Sequence, residues 1–169
     1  MNKSFKLDKL RYSPPFDHSL HFLFCFRHAN SKNPIIAIFS RFGLAFFRNM
    51  YGLEIPRKCI IGDGFYLGHP YNITINPKAI IGKNCNIHRG VVIGQENRGS
   101  RIGAPIIGDN VWIGINSAIV GKITIGNDVL IAPNSYVNCD IPSNSIVYGN
   151  PCIIKHREHA TEGYINRII

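Results

Sequence analysis

From Ile55 onward an aliphatic residue returns every six positions, often with Gly behind it. The series runs Ile55, Ile61-Gly62, Leu67-Gly68, Ile75, Ile81-Gly82, Ile87, Ile93-Gly94, Ile107-Gly108, Ile113-Gly114, Ile119, Ile125-Gly126, Ile131 and Val137. A second small or apolar residue follows four positions later, as in Cys59, Phe65, Ala79, Cys85, Val91, Val111, Ser117, Ile123, Val129, Ser135 and Ile141. Six is too long a period for the alternation of a strand and wrong for the turn of a helix. Two inward positions per repeat describe a short strand and a turn, and three such units close a triangular coil of about 18 residues. Stacked coils form a parallel β-solenoid with layers about 4.8 Å apart, its aliphatics in internal ladders. Corners that need positive φ are supplied by Asp63-Gly64, Lys83-Asn84, Asp109-Asn110 and Asn127-Asp128.

The expected fold class is thus all-β, a solenoid of about five coils over 54–149. Before it, 1–53 holds PPFDHSLHFLFCFRHA and NPIIAIFSRFGLAFFRNMYG, which read as one or two amphipathic helices. They are opened by Asp17 or Asn33-Pro34 and stopped at Gly52. Such helices would cap the open edge of the first coil. The tail, 150–169, is too polar for another coil and is expected to pack along the outside.

The period breaks twice, and loops that leave a rigid scaffold are where function concentrates. Leu67 to Ile75 gains two residues around His69-Pro70, and Ile93 to Ile107 gains eight, in the segment from Gln95 to Ala104 that carries Arg98 and Arg101. Of seven histidines only His69 and His88 ride on the coils. His88 takes the outward position after Ile87, where a surface histidine is the plainer reading. Glu54 precedes His69 by fifteen residues, which in an 18-residue coil puts both at one corner in neighbouring layers. A carboxylate within reach of an imidazole fixes its tautomer and stabilises the imidazolium, as a general base requires. The competing reading of Glu54 is a solvated residue at the helix-to-coil junction.

Composition narrows the field. Ten Pro and sixteen Gly favour turn-rich β structure. The net charge of +9 sits mainly before Glu54, where it reaches +6, mixed with large apolar residues and without a nucleic-acid motif. Helix faces, an anionic cofactor or an acidic membrane surface account for it better than nucleic acid does. Five cysteines without a C-x-x-C pair argue against a disulfide framework and a thiolate zinc site, and point to a reducing cytosol. The coils carry no H-x4-H, so no metal is expected. The N-terminus lacks a secretory pattern, and the longest apolar run, Ile35 to Phe47, is broken by Ser40 and Arg41. P-loop, G-x-S-x-G and paired-carboxylate arrangements are absent, which removes kinase and hydrolase readings.

Over roughly Phe26 to Lys155 the chain resembles the left-handed β-helix, hexapeptide-repeat acyltransferases, in the serine acetyltransferase-like branch. The likeness rests on Glu54-Ile55-Pro56, Leu67-Gly68-His69-Pro70, Ile93-Gly94 with its loop ending in Pro105, and Gly149-Asn150-Pro151. It implies acetyl-CoA as co-substrate, direct transfer to a hydroxyl, and a dyad of His69 with Glu54, Glu standing where Asp is usual. It also implies a homotrimer with coenzyme A in a groove between subunits, Gly94, Ile115 and Pro133 along it and Lys155 as a phosphate contact. Gly94 further offers a backbone N–H to the oxyanion. The departures bear on the acceptor. The Arg-His pair that holds serine in that family is replaced by Gly103 and Ala104, and the acidic residue before the histidine by Gly68. With its short helical segment the chain looks more like enzymes of capsular and exopolysaccharide synthesis, of the colanic acid type. A sugar hydroxyl is therefore the favoured acceptor, with Arg98 and Arg101 as its contacts. Serine O-acetylation and a non-catalytic scaffold are the alternatives, and the expected location is cytoplasmic, with peripheral membrane contact open to the basic N-terminus.

Overall fold

In the computed structural model the repeat appears as a three-sided prism; residues 2–13 and 18–169 are described. Three helices precede it: α1 (Lys3–Leu10), α2 (His18–His28) and α3 (Pro34–Tyr51). Three layers of three strands follow, β1 (Leu53–Glu54), β2 (Ile60–Ile61), β3 (Tyr66–Gly68), β4 (Ile73–Ile75), β5 (Ile80–Ile81), β6 (Asn86–His88), β7 (Val92–Gly94), β8 (Ile106–Ile107) and β9 (Val111–Ile113). Two more layers comprise β10 (Ala118–Val120), β11 (Thr124–Ile125), β12 (Val129–Ile131), β13 (Tyr136–Val137) and β14 (Ser145–Tyr148), with Ile141 bridging to Ile125, and β15 (Ile153–His156) ends the series.

Every third strand pairs in parallel. One wall, sheet A, is ordered β1-β4-β7-β10-β13; sheet B is β11-β8-β5-β2; sheet C is β15-β14-β12-β9-β6-β3. All thirteen aliphatics of the repeat and their eleven companions are buried. Gly64, Asn84, Asn110 and Asp128 take the left-handed conformation at one corner, with φ of 71, 54, 55 and 53°. The fivefold stacking expected from the sequence is what the chain forms.

The helical segment holds one more helix than expected. α1 was hidden because its core contact is polar: Asp8, fully buried, accepts from the Phe65 N–H at 3.0 Å and from Arg27 at 2.8 and 3.1 Å. Arg27 in turn donates to Ile61 O and Gly62 O, Arg11 to Gly64 O, and Ser19 Oγ to Leu67 O, while the Leu67 N–H donates to the Tyr12 hydroxyl. Side chains thus satisfy the backbone edge of the first coil, which would otherwise be open to another strand. Asp17, expected to open α2, lies outside the described residues. α3 begins as read: Asn33 Oδ1 accepts from the Ile35 and Ile36 N–H groups, Pro34 takes the first helical position, and Gly52 closes the helix at φ 64°.

β15 turns back antiparallel on β14, and the tail then descends the outside of the prism. Asp128 holds it by accepting from the Ala160 and Thr161 N–H groups and the Thr161 hydroxyl. Further down, Tyr164 O accepts from Asn86, Asn166 O from Arg11 and Ile169 O from Asn84. The last residues therefore reach the first two layers.

Candidate functional site

The two-residue insertion forms the corner between sheets C and A. His69 follows β3 with φ 54°, and Asn72 with φ 52° leads into β4. Left-handed backbone is uncommon for residues other than Gly, though His and Asn are enriched among the exceptions, and such strain gathers at functional sites. The corner is fixed from both sides: the Asn72 N–H donates to Tyr51 O, the Gly90 N–H to Tyr71 O, and the Tyr71 ring lies 5.3 Å from that of Tyr51. On this support the imidazole of His69 is exposed.

Glu54 occupies the outward position of β1, opposite Thr74 of β4. Its carboxylate is half exposed and its ion-pair partner is Arg48 of α3, Nε to Oε1 at 3.7 Å. Among the described residues no hydrogen bond or ion pair joins Glu54 to His69. Glu54 instead faces a cleft of about 640 Å³ with Leu44, Ile55 and Ile75 in its walls and Arg41, Arg48 and Arg57 around it. That cleft presents three cations and one anion over an apolar floor.

Ile115 and Pro133 follow β9 and β12, so they share the corner of His69 in higher layers. Gly94 ends β7 at the far edge of sheet A, and the eight-residue insertion carrying Arg98 and Arg101 leaves from there, at the corner between sheets A and B. Glu96 and Gly103 exchange backbone hydrogen bonds across that loop, and the Lys122 N–H donates to Arg101 O. Arg101 pairs with Glu96 at 3.0 Å, a bond that holds its guanidinium above its ordinary range, and Arg98 is exposed. Lys155 lies on β15 with its ammonium 5.8 Å from the centre of the Tyr148 ring. One chain therefore brings His69, Ile115 and Pro133 to one corner, and Gly94, Arg98 and Arg101 to another.

A further cluster escaped the sequence reading. His88 on β6 donates through its Nδ1–H to Ile113 O at 2.9 Å, and its ring lies 4.6 Å from Trp112, which is itself 5.1 Å from Tyr164. The available signal was the chain's single Trp at an outward position, between the inward Val111 and Ile113. Among the described residues no three His, Cys, Asp or Glu side chains converge as metal ligands would.

Coils of this period, three-walled and parallel, define the class of hexapeptide-repeat β-solenoids. Residues 104–139 match the bacterial transferase hexapeptide family, described as six repeats. The chain is 33% identical over 141 residues to the WcaB protein of Escherichia coli K12, assigned as an acetyltransferase of colanic acid biosynthesis, covering 80% of this chain and 83% of that one. To the serine acetyltransferase of Synechococcus elongatus it is 33% identical over 110 residues, 65% of this chain and 45% of that one. Among solved structures, serine acetyltransferase from Brucella abortus strain S19 superposes with a TM-score of 0.77 at 24% identity, over 94% of this chain and 70% of that one, a likeness of fold. The same Brucella protein is known in complex with coenzyme A, at a TM-score of 0.75 and 23% identity over 91% of this chain and 67% of that one. The chain belongs to the hexapeptide-repeat transferase family. It spans less than half the length of the serine acetyltransferases of Synechococcus elongatus and Arabidopsis thaliana that it matches.

Proposed function

We propose that the chain transfers acetyl from acetyl-CoA to a hydroxyl, that of a sugar in polysaccharide biosynthesis, with His69 as the general base. The observation that carries this is an exposed imidazole on a left-handed corner held from both sides, with Ile115 and Pro133 two and three layers further along the same corner, where the family places coenzyme A. The unprotonated ring nitrogen of His69 takes the proton of the acceptor hydroxyl as its oxygen bonds to the thioester carbonyl carbon. The tetrahedral intermediate then expels the CoA thiolate, which receives that proton from the imidazolium. Glu54 balances the charge on the ring once freed from Arg48, and the Gly94 N–H serves the oxyanion. A backbone donor suits that role because it is fixed before the charge develops.

Gly94, Arg98 and Arg101 lie on a different corner from His69, so the full set meets only if one chain's A–B corner abuts another's C–A corner. Threefold rotation about an axis along the prism makes that heterologous contact three times and closes, which supports a homotrimer. Lys155 is assigned to the phosphates of coenzyme A, and Arg98 and Arg101 to the acceptor. Reliance on acetyl-CoA favours the cytoplasm. No helix among the described residues is long and apolar enough to cross a membrane.

Sugar is favoured over serine because Gly68, Gly103 and Ala104 provide none of the charged groups an amino acid would need. WcaB, matched over most of both chains, supports the sugar, as a serine acetyltransferase of Helicobacter pylori matched over 78% of this chain and 77% of that one supports the serine alternative. The test is release of free CoA thiol from acetyl-CoA with L-serine, sugars, nucleotide sugars and oligosaccharides offered singly. Release with glycans is expected; release with serine alone makes this a serine O-acetyltransferase, and release with none, joined to failure to bind a CoA matrix, leaves a scaffold.

Peripheral membrane contact is supported by α3. Ile35, Phe39, Phe42, Phe46 and Met50, spaced three or four apart, are 64, 73, 72, 53 and 67% exposed on one stripe, with Arg41 and Arg48 at its side. The protein is expected to float with phosphatidylglycerol vesicles, and the double variant Phe39→Ser, Phe42→Ser to stay below. Sedimentation of wild type with anionic and neutral vesicles alike would remove the membrane from the picture.

A further inference from the structure

The outer face of sheet C carries a second cavity, of about 420 Å³. Its floor comes from register: Tyr66 stands beside Asn86, and Asn86 beside Trp112, all outward, while one step along Gly68 stands beside His88. Its walls come from the two ends of the chain, Arg11 and Ser13 on one side and Tyr164, Asn166 and Arg167 on the other. Trp112, Tyr66 and Tyr164 give it aromatic surfaces of the kind that the apolar faces of sugar rings cover. Asn86 and Arg11, 4 and 5% exposed, give it fixed polar groups: Arg11 Nη2 donates to Asn86 Oδ1 at 2.8 Å, Nη1 to Gly64 O and Nε to Asn166 O.

Two features narrow the ligand further. Arg11 and Arg167 line the cavity, and among the described residues no carboxylate does. Among the described residues the ion pairs involve Arg27, Arg48, Arg101 and His156; the buried Arg11 guanidinium has hydrogen bonds and the longer-range charge of Asp8, whose carboxylate is paired with Arg27, but no ion pair of its own. A buried cation in that condition favours a ligand of negative charge. The second feature is His88. Burial holds its pKa below the ordinary value, and the charge of nearby His69 acts in the same direction. A neutral ring whose Nδ1–H donates to Ile113 O presents Nε2 as an acceptor. That edge lies against Gly68: a Cβ added there would meet His88 Cδ2 at 2.4 Å and Nε2 at 2.6 Å. Gly68 is thus bare because the imidazole of His88 fills the space a side chain would need, and the residue after it is His69.

We infer that this cavity is the acceptor subsite and that it takes an acidic saccharide, stacked on Trp112, charge-paired with Arg11 and Arg167, with one hydroxyl held by His88 Nε2 beside His69. The inference rests on the acyl-transfer reading of His69 and names the substrate class for it. It also accounts for the missing carboxylate at position 68, since an ammonium partner and the His88 ring exclude each other there.

Trp112 is the chain's only tryptophan, so its emission reports on the cavity independently of catalysis. Fluorescence titration of the full chain with oligosaccharides bearing glucuronate, galacturonate or sialate is expected to give saturable quenching, absent with neutral oligosaccharides of equal length. In the thiol-release assay Trp112→Leu and Arg167→Gln are expected to raise KM for the quenching saccharide at least about tenfold, with KM for acetyl-CoA unchanged. Arg167 is exposed on the tail, so its replacement leaves the fold intact. Quenching without thiol release would keep the subsite and sink the transferase reading. Turnover without quenching, or with KM unmoved in both variants, would overturn the subsite.

Discussion

Replacing His69 by Asn is expected to lower turnover by about 10²–10⁴-fold while leaving retention on a CoA matrix and thermal stability unchanged. Asn is chosen over Ala because of the backbone. His69 sits at φ 54°, where a residue without local hydrogen-bonding capacity is disfavoured, whereas Asn72, Asn116 and Asn134 hold φ of 52, 58 and 59° in this same chain. His69→Asn therefore removes the base and keeps the corner, so lost activity cannot be blamed on a collapsed loop. His69→Ala adds roughly 1 kcal/mol of backbone strain and should show a lower Tm besides. In the same assay Glu54→Gln should lose less, because the carboxylate orients and balances the ring without touching the acceptor. Wild-type turnover by His69→Asn at full CoA retention would remove His69 from the mechanism and leave His88, one layer above, as the next imidazole to test.

The prism was legible because one rule repeats. Each inward aliphatic is placed by its neighbours in the layers above and below, so a six-residue period is a direct image of the wall it builds, and the corners add Asn, Asp or Gly where φ must be positive. Both insertions were equally visible, whereas Ile115 and Pro133 were named by the family resemblance and it is the structure that sets them on the corner of His69. What stayed hidden depends on contacts that no period encodes. α1 has Lys3, Lys6 and Lys9 spaced as a solvated helix and is held by one buried acid 19 residues from its Arg27 partner. The cavity around Trp112 is assembled from residues 75 and 78 positions apart, Arg11 with Asn86 and Asn86 with Tyr164. Glu54 and His69 are close in the repeat yet unpaired: Glu54 stands on the wall opposite Thr74, with Arg48 from the last turn of α3 beside its carboxylate.

The second large effect concerns the cap. Asp8→Ala is expected to destabilise the protein by about 3–5 kcal/mol, the range for removing one partner of a buried ion pair. Asp8 is fully buried and the side chain of Arg27 is 8% exposed, so deleting the carboxylate strands a guanidinium charge away from water and leaves the Phe65 N–H without its acceptor. For a chain of this size about 1 kcal/mol moves Tm by roughly 2–4 °C, so a fall of about 6–20 °C should be seen by calorimetry. Asp8→Asn should fall less, since its carbonyl can still accept from Phe65. The pH dependence has a definite sign. Burial raises the Asp8 carboxyl above its ordinary value, with the Arg27 hydrogen bond and charge pulling the other way. A raised folded-state pKa contributes stability that is complete below the unfolded value of about 3.9 and is lost as pH climbs through the folded one. The Tm gap between wild type and Asp8→Ala should accordingly hold or widen from pH 7 down to about 4. A gap that closes on acidification would show that Arg27 outweighs burial at this pair, and an Asp8→Ala protein with unchanged Tm at neutral pH would show that the cap does not hold the first coil.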